Sequence, residues 1–436
     1  MDYTVKEVLQ FAADNDVKFV KLAFCSLMGV QKNISIVAEE LPRAFESGIS
    51  FDASAVTGFG SPEDSDLLLV PDPATLSILP WRPQQGRVAR LFCDVRRPDG
   101  SAFEGDGRQI VRRAEARAAS MGYACQIGSE CEFYLFELDE KGKPTHVPQD
   151  NAGYCDVAPA DRAENVRRDI CLTLEQMGIE PESSHHEQGP GQNEVDFRYA
   201  SPLRAADRFT AFKSVVKSVA ARNGLHASFM PKPLRDKSGS GLHVNLSLLR
   251  DGVNLTGEIG EGKDNAPSAF LAGILKYIPE ITLFLNPITN SYSRFGRYEA
   301  PRHIAWGYRN RSVLVRIPAT DGAYSRMEIR SPDGACNPYL AYALLMHAGL
   351  SGIEEGLTLC AAERRNLFEI SESAPARLPE TFGEALERAK GSALLKKVLP
   401  DPVLSAYFSN KEEEWERFMQ ADHRPTWEDK RYFEKI

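Results

Sequence analysis

The sequence predicts an α+β protein with a small N-terminal domain and a large second one. Three observations predict it. At 436 residues the chain exceeds what one simple core organises. The turn-rich stretch RRPDGSAFEGDG reads as a linker. Beyond it, segments of helical and strand periodicity alternate with no internal repeat and no low-complexity tract.

The first domain is placed at residues 1–102. Residues 3–15 carry helical periodicity, KFVKLAFCSL alternates as a strand, and NISIVA follows the turn at Met28-Gly29, which predicts a hairpin. The stretch 51–84 is rich in Gly, Pro, Ser and Asp, and RVARLFCDV after it reads as another strand. The second domain, 103–436, alternates helices (RQIVRRAEARAASM, ADRAENVRRDICLTLEQMG, AADRFTAFKSVVKSVAARNG) with strands (ACQIGSECEFYLFEL, NEVDFRYA, SGLHVNLSLL, SVLVRIP, SRMEIRS). The last seventy residues read as helices with interspersed charges.

Composition narrows the class. Apolar residues are 42% and charged residues 26% of the chain, as in a globular protein with a sizeable core. The formal net charge of −9 gives no bulk attraction for nucleic acid or anionic membrane, so anionic substrates need local arginines and lysines. The eight cysteines form no C-x-x-C pair, and most lie in apolar runs such as LFCDV. They read as reduced core thiols of a cytoplasmic protein. The N-terminus lacks a signal-peptide apolar block, and YLAYALLMHAGL is the nearest approach to a membrane span.

The chemistry lies in where polar residues fall within the strands. Side chains alternate faces with a period of two. Glu130 and Glu132 therefore share a face, with Cys131, Phe133 and Leu135 opposite. His243, Asn245 and Ser247 share another, as do Arg326, Glu328 and Arg330, and Glu194, Asp196 and Arg198. Glu187 lies on the loop HHEQGPGQ, whose Gly and Pro turn the chain back toward Glu194, and His185 and His186 read as loop residues rather than ligands. Any single half-exposed strand alternates in this way. Together, Glu130, Glu132, Glu187, Glu194, Glu328 and His243 recur beside arginines on strands able to face one cavity. Crowded carboxylates repel unless cations neutralise them, which suits Mg²⁺ or Mn²⁺, and the arginines suit phosphate and carboxylate ligands. This is the apparatus of phosphoryl transfer. GEIGEGKD has P-loop spacing but lacks the Ser or Thr for Mg²⁺, and reads as a surface hairpin or loop.

The segments SFDASAVTGF, LVPDPATLSILPW, GSECEFYLF, HHEQGPGQNEVDF, FMPKP, SGSGLHVNLSL, NPITNSYSRFGRYEAP, RNRSVLVRIP and SRMEIRSPDGACNPYLAYA occur in the order found in bacterial type I glutamine synthetases, which the chain resembles from about residue 5 to 370. The resemblance implies a β-grasp-like first domain and a catalytic domain with a curved antiparallel sheet backed by helices. It assigns one metal to Glu132, Glu187 and Glu194 and another to Glu130, His243 and Glu328. Glutamate is expected at Gly239, Arg294, Glu299 and Arg330, and ATP at Glu182, Asn245, Ser247, Arg311, Arg316 and Arg326. Asp52, reaching from a neighbouring subunit, would bind ammonium and take its proton, while Glu299 belongs to a closing flap and Arg311 joins the catalytic set. The implied reaction is ATP-dependent synthesis of glutamine, in hexameric rings or dodecamers.

Several positions depart from the family pattern. His243-Val244-Asn245 stands where His-x-His is usual, Ser238 where Asn is frequent, and Phe59 where many members have Trp. Phe368 occupies a position where some members carry an adenylylated Tyr, so that regulation is not expected. A γ-glutamyl ligase for a larger amine (methylamine, a polyamine or ethanolamine) is the alternative within the same chemistry. An inactive structural homologue would be expected to lose metal ligands, and all six are present. Retention of Asp52 with Glu299 favours ammonia.

Overall fold

The computed structural model describes residues 3–370 and 373–436. Two sheets organise it. The first contains β1 (Val17–Cys25), β2 (Gln31–Val37), β3 (Ile49–Asp52), β4 (Asp66–Pro71), β5 (Ser77–Ile78) and β6 (Arg87–Arg96), in the order β2-β1-β6-β4-β3 with β5 beside β6. β1 and β2 form the expected antiparallel hairpin, and β1 runs parallel to β6. The Pro- and Gly-rich stretch 51–84, which carried no strand expectation, contributes the end of β3 and both β4 and β5. Its strands are too short for alternation to stand out against turn residues.

The second sheet holds β7 (Ala124–Leu138), β8 (Pro144–Pro148), β9 (Pro181–His186), β10 (Gln192–Ala200), β11 (Leu225–Ser228), β12 (Leu242–Arg250), β13 (Val253–Asn254), β14 (Trp306–Tyr308), β15 (Val315–Ile317) and β16 (Met327–Ile329). Its main path is β14-β15-β16-β12-β7-β10-β9, antiparallel except between β14 and β15. SVLVRIP and SRMEIRS shorten to three-residue strands, because ladder partners exist only for 315–317 and 327–329. This is the β-grasp plus curved, helix-backed sheet that the resemblance implies.

The long strand β7 sets the two faces. Cys131, Phe133 and Leu135 are fully buried on one side, and on that side Ser129 shares a 2.6 Å hydrogen bond with Tyr342 of the helix Pro338–Glu354. That helix crosses the helix Ala266–Leu285 closely enough that a Cβ on Gly273 would lie 2.3 Å from the Ala348 carbonyl. Ala266–Leu285 is long and apolar enough to cross a membrane, whereas the sequence reading names no such window and gives 339–350 as the nearest, yet 72% of the helix's most apolar window is buried in the protein. Five of the eight cysteines are buried, whereas Cys155 and Cys360 are exposed, contrary to their reading as core thiols.

A buried guanidinium fastens the first sheet to the helical layer. Arg108 donates to Asp94 (2.8 Å) on β6, to Asp72 (2.6 Å) after β4, and to Asp207 (3.2 Å) on the helix Pro202–Arg222. Asp106 caps the helix of Arg108 by accepting from its backbone N–H, and its other oxygen accepts from Val95 N–H. Asn337, capping the helix Pro338–Glu354, donates from Nδ2 to the carbonyls of Ser26 and Leu27 at the β1–β2 turn.

Elsewhere in the helical layer, His347 accepts from Arg117 at Nδ1 (3.0 Å), while burial and the Arg117 charge press its pKa down to about 3. The unfolded chain takes up a proton on this imidazole below about 6.5 and the folded chain does not, so stability is present above that pH and falls as pH drops. Between pH 6.5 and 5 the loss is about 2 kcal/mol. His347→Gln keeps an acceptor for Arg117 and is expected to remove that part of the acid sensitivity, as read by denaturation curves across pH.

Candidate active site

On the face of the second sheet opposite its core, pairing register sets the polar residues in rows. Glu194 lies opposite Glu132, and Asp196 opposite Glu130, across β10 and β7. His243 of β12 lies opposite Glu130, and Glu328 of β16 bridges Asn245 of β12 and Arg316 of β15. The alternation read from sequence therefore lands on a single surface.

Two clusters result. The ligand-capable atoms of Glu130, His243 and Glu328 lie within 4.8 Å of one another, with His243 Nδ1 3.3 Å from Glu130 and 3.8 Å from Glu328. Those of His185, Glu187 and Glu194 do the same, with His185 Nε2 3.0 Å from Glu187 and 3.9 Å from Glu194. Glu132 faces Glu194 across the β7–β10 ladder and accepts from the Gly241 N–H at 2.6 Å. His185 is a correction to the sequence reading: residues 181–186 form strand β9, and the period of two puts His185 and Glu187 on the same side.

Around Glu132, Glu194 and Asp196 the cleft is crowded with negative charge. Burial, reinforced by Asp196, Glu132, Glu130 and Glu187, drives the Glu194 carboxyl well above its ordinary range. Burial and the charge of Glu130 lift Asp196 to about 6, and burial also raises Glu132. Burial would raise Glu130 as well, but hydrogen bonds from His243 and Asn245 hold it low. Carboxylate oxygens with one imidazole per cluster, crowded at this charge density, fit hard divalent cations such as Mg²⁺ or Mn²⁺.

Arginines rim the cleft. Arg316 and Arg330 both donate to Glu328, from opposite sides. Arg326 donates to Asn245 Oδ1 (3.1 Å), and Asn245 donates to Glu130 (2.8 Å). Arg294 is buried and directs its Nη atoms to the carbonyls of Arg330, Ser331 and Pro332. Gly239 and Gly241 pack against it: a Cβ on Gly241 would lie 2.3 Å from Arg294 Nη2. Ser247 donates to the Ser325 carbonyl at 2.9 Å. Arg311 and Glu182 are exposed, Glu182 being 4.0 Å from Arg198. Glu299 is exposed on a turn with φ of +64°, its carbonyl accepting from Arg330 at 3.3 Å.

Asp52 is set apart. It ends β3 on the other sheet, exposed, with its carboxylate accepting from Ser54 N (3.0 Å) and Ser54 Oγ (2.6 Å). Among the described residues no hydrogen bond or ion pair joins it to the carboxylate clusters. Asp196 and Gln192 were missed as cleft residues; Gln192 donates to the Gly239 carbonyl at 3.1 Å. Asp196 already lay on the Glu194 face in the strand pattern, whereas nothing local distinguishes Gln192.

Residues 16–98 match the family model described as "Glutamine synthetase, beta-Grasp domain", and residues 104–432 match "Glutamine synthetase, catalytic domain". The chain belongs to the glutamine synthetase family. It is 45% identical to the glutamine synthetase of Clostridium saccharobutylicum over 99% of both chains. It is 44% identical to that of Methanosarcina mazei, covering 99% of this chain and 98% of the relative. A solved GmaS/ADP complex superposes with a TM-score of 0.87 at 31% identity, over 99% of each chain. The chain is accordingly a ligase, and both its sheets fall within the family pattern.

Proposed function

We propose that this enzyme joins ammonia to the γ-carboxylate of L-glutamate at the expense of ATP, through γ-glutamyl phosphate. The observation that carries the reading is the convergence of Glu130, His243 and Glu328, and of His185, Glu187 and Glu194 with Glu132 opposite Glu194, on one arginine-rimmed surface. His185 adds a donor beside Glu187. Divalent cations held there would screen the phosphate oxygens and stabilise charge developing on them. The relatives named glutamine synthetase, and the solved GmaS/ADP complex, support ATP as co-substrate.

In the first step a γ-carboxylate oxygen of glutamate attacks the terminal phosphorus of ATP, and ADP leaves. Arg316, Arg326 and Arg311 take the charge of the moving phosphoryl group, with Asn245, Ser247 and Glu182 toward the nucleotide. Arg330, Arg294 and the Gly239 backbone hold glutamate. In the second step ammonium loses a proton to Asp52, ammonia attacks the acyl carbon, and phosphate leaves. The Glu299 turn closes over the acyl phosphate and excludes water. Asp52 acts in this scheme from an adjacent subunit of a ring, as a hexamer or dodecamer, which suits its exposed place at the edge of the small sheet.

The test is phosphate release from ATP and glutamate with ammonium, methylamine, ethanolamine and putrescine compared at equal concentration. Ammonium is expected to be the preferred amine; preference for another would replace this reading with a γ-glutamyl ligase for that amine. Asp52→Ala is expected to spare Mn²⁺ binding while slowing ammonia-dependent turnover on the order of 100-fold, the scale of a lost general base. Unchanged turnover would remove Asp52 from the scheme.

A further inference from the structure

Behind the cleft, Asp150, Asp161 and His186 form another group with metal-ligand spacing, all three buried. Their polar atoms are already committed. Asp161 accepts from the Arg167 guanidinium on both oxygens and from Ala163 N–H at 2.8 Å. Asp150 Oδ2 accepts from Arg162 N–H at 3.0 Å. His186 donates from Nδ1 to the Glu187 carbonyl (2.7 Å) and from Nε2 to Asp150 Oδ1 (2.9 Å). A cation would have to displace several of these bonds, so the group is not read as a third metal centre.

Its geometry instead encloses the turn that carries Glu187. The same Asp150 Oδ1 that receives His186 also receives the Gly191 N–H at 2.9 Å, so one carboxylate oxygen ties both ends of the segment 187–191. Glu187 N–H donates to the Gln192 carbonyl (2.8 Å), and Gln192 N–H to the Gly189 carbonyl (2.9 Å), which closes the turn from within. Gly191 has φ of +65° and a Cβ there would lie 2.7 Å from the Leu135 carbonyl, so the turn fits tightly on β7. On the far side, Arg167 donates to Asn193 Oδ1 (2.6 Å), next to Glu194.

We infer that Asp150 and His186 are positioning residues that latch the turn 187–191, and so hold the Glu187 carboxylate at the spacing from Glu194 that a divalent cation requires. The latch rests on the two-cation reading above. Glu187 is the one acid of the set carried on a turn rather than in a ladder, so backbone pairing fixes it least. Outer hydrogen bonds that orient ligands change metal affinity by roughly 10- to 100-fold when removed.

The experiment uses the full-length protein with Asp150→Asn, which keeps the side chain's size, and separately His186→Gln. Mn²⁺ titration should show the Glu187-containing site weakened by about tenfold or more, with the site of Glu130, His243 and Glu328 within about twofold of the parent. Hydrogen exchange of the metal-free proteins should show faster exchange at Gln188 and Gly191, and at Leu135, whose N–H donates to the Gly191 carbonyl, with the amides of β12 unchanged. Parental Mn²⁺ affinity at both sites in both variants overturns the latch. Equal weakening of both sites with a lowered melting temperature also overturns it, because that is the signature of general fold support. If the parent itself fails to bind two Mn²⁺, the two-cation reading falls, and the metal-free exchange then decides whether Asp150 and His186 hold the turn.

Discussion

Replacing Glu328 with glutamine is expected to lower ammonia-dependent phosphate release on the order of 1,000-fold, corresponding to the several kcal/mol of charge stabilisation a cation site supplies. Glu328 is only 1% exposed, and three positive or ligand-seeking groups meet on it: Arg316 on one oxygen, and Arg330 and His243 near the other. Glutamine retains the shape but has one acceptor oxygen, and its amide N–H₂ then faces a guanidinium. Breaking a buried pair from one side costs about 3–5 kcal/mol, so the melting temperature should fall as well. Glu187→Gln is the informative companion. Among the described residues Glu187 accepts from His185 and the Gln188 N–H and from no arginine, so that variant should lose turnover with little loss of stability. Phosphate release, Mn²⁺ titration and thermal melting of the two variants side by side separate cation binding from charge burial. Full turnover in Glu328→Gln would remove this residue from the reaction.

A loss of stability on the same scale is expected from Arg108→Met. The substitution leaves Asp72, Asp94 and Asp207 around a buried apolar side chain, with Arg112 near Asp94 and Asp72, the Ala74 N–H on Asp72 and the Tyr339 hydroxyl on Asp207 as partial compensation. The expected loss is about 3–5 kcal/mol near neutral pH. Its pH dependence follows from the signs. A buried carboxylate without its partner has a folded pKa above the unfolded value of about 3.9, so the folded variant binds more protons than the unfolded chain between those values. Stability of the variant therefore rises as pH falls, and its gap to the parent narrows between about pH 7.5 and 5. Denaturation at both pH values reads this directly. A gap independent of pH would assign the loss to packing instead.

The cleft was legible in the sequence to the extent that it is written in strands. Glu130 and Glu132, and likewise His243 and Asn245, fall on one face by alternation, and pairing of β7 with β10 and β12 then brings those faces together without further information. His185 was misread because the segment HHEQGPGQ reads as loop and Glu187 already supplies a donor there, although residues 181–186 pair with β10. Asp150 stood in a region with no periodicity at all. Its partners lie 36 and 41 positions away, at His186 and Gly191, and no local pattern signals such a bond. The small sheet was partly hidden for a related reason. Strands of two to six residues between prolines give alternation too little length to register.

The ladder between β12 and β7 carries a further consequence for how the enzyme matures. Leu242 pairs with Cys131 and His243 with Glu130, and this order holds through Leu249. A slip by one residue would turn Val244 outward into the cleft and drive His243 among the apolar side chains. The Glu130, His243 and Glu328 site should therefore appear during refolding only together with the final β12–β7 register. A trapped misaligned form would have near-normal secondary structure and lack Mn²⁺ affinity at that site, while keeping the group of His185, Glu187 and Glu194, which holds no β12 residue.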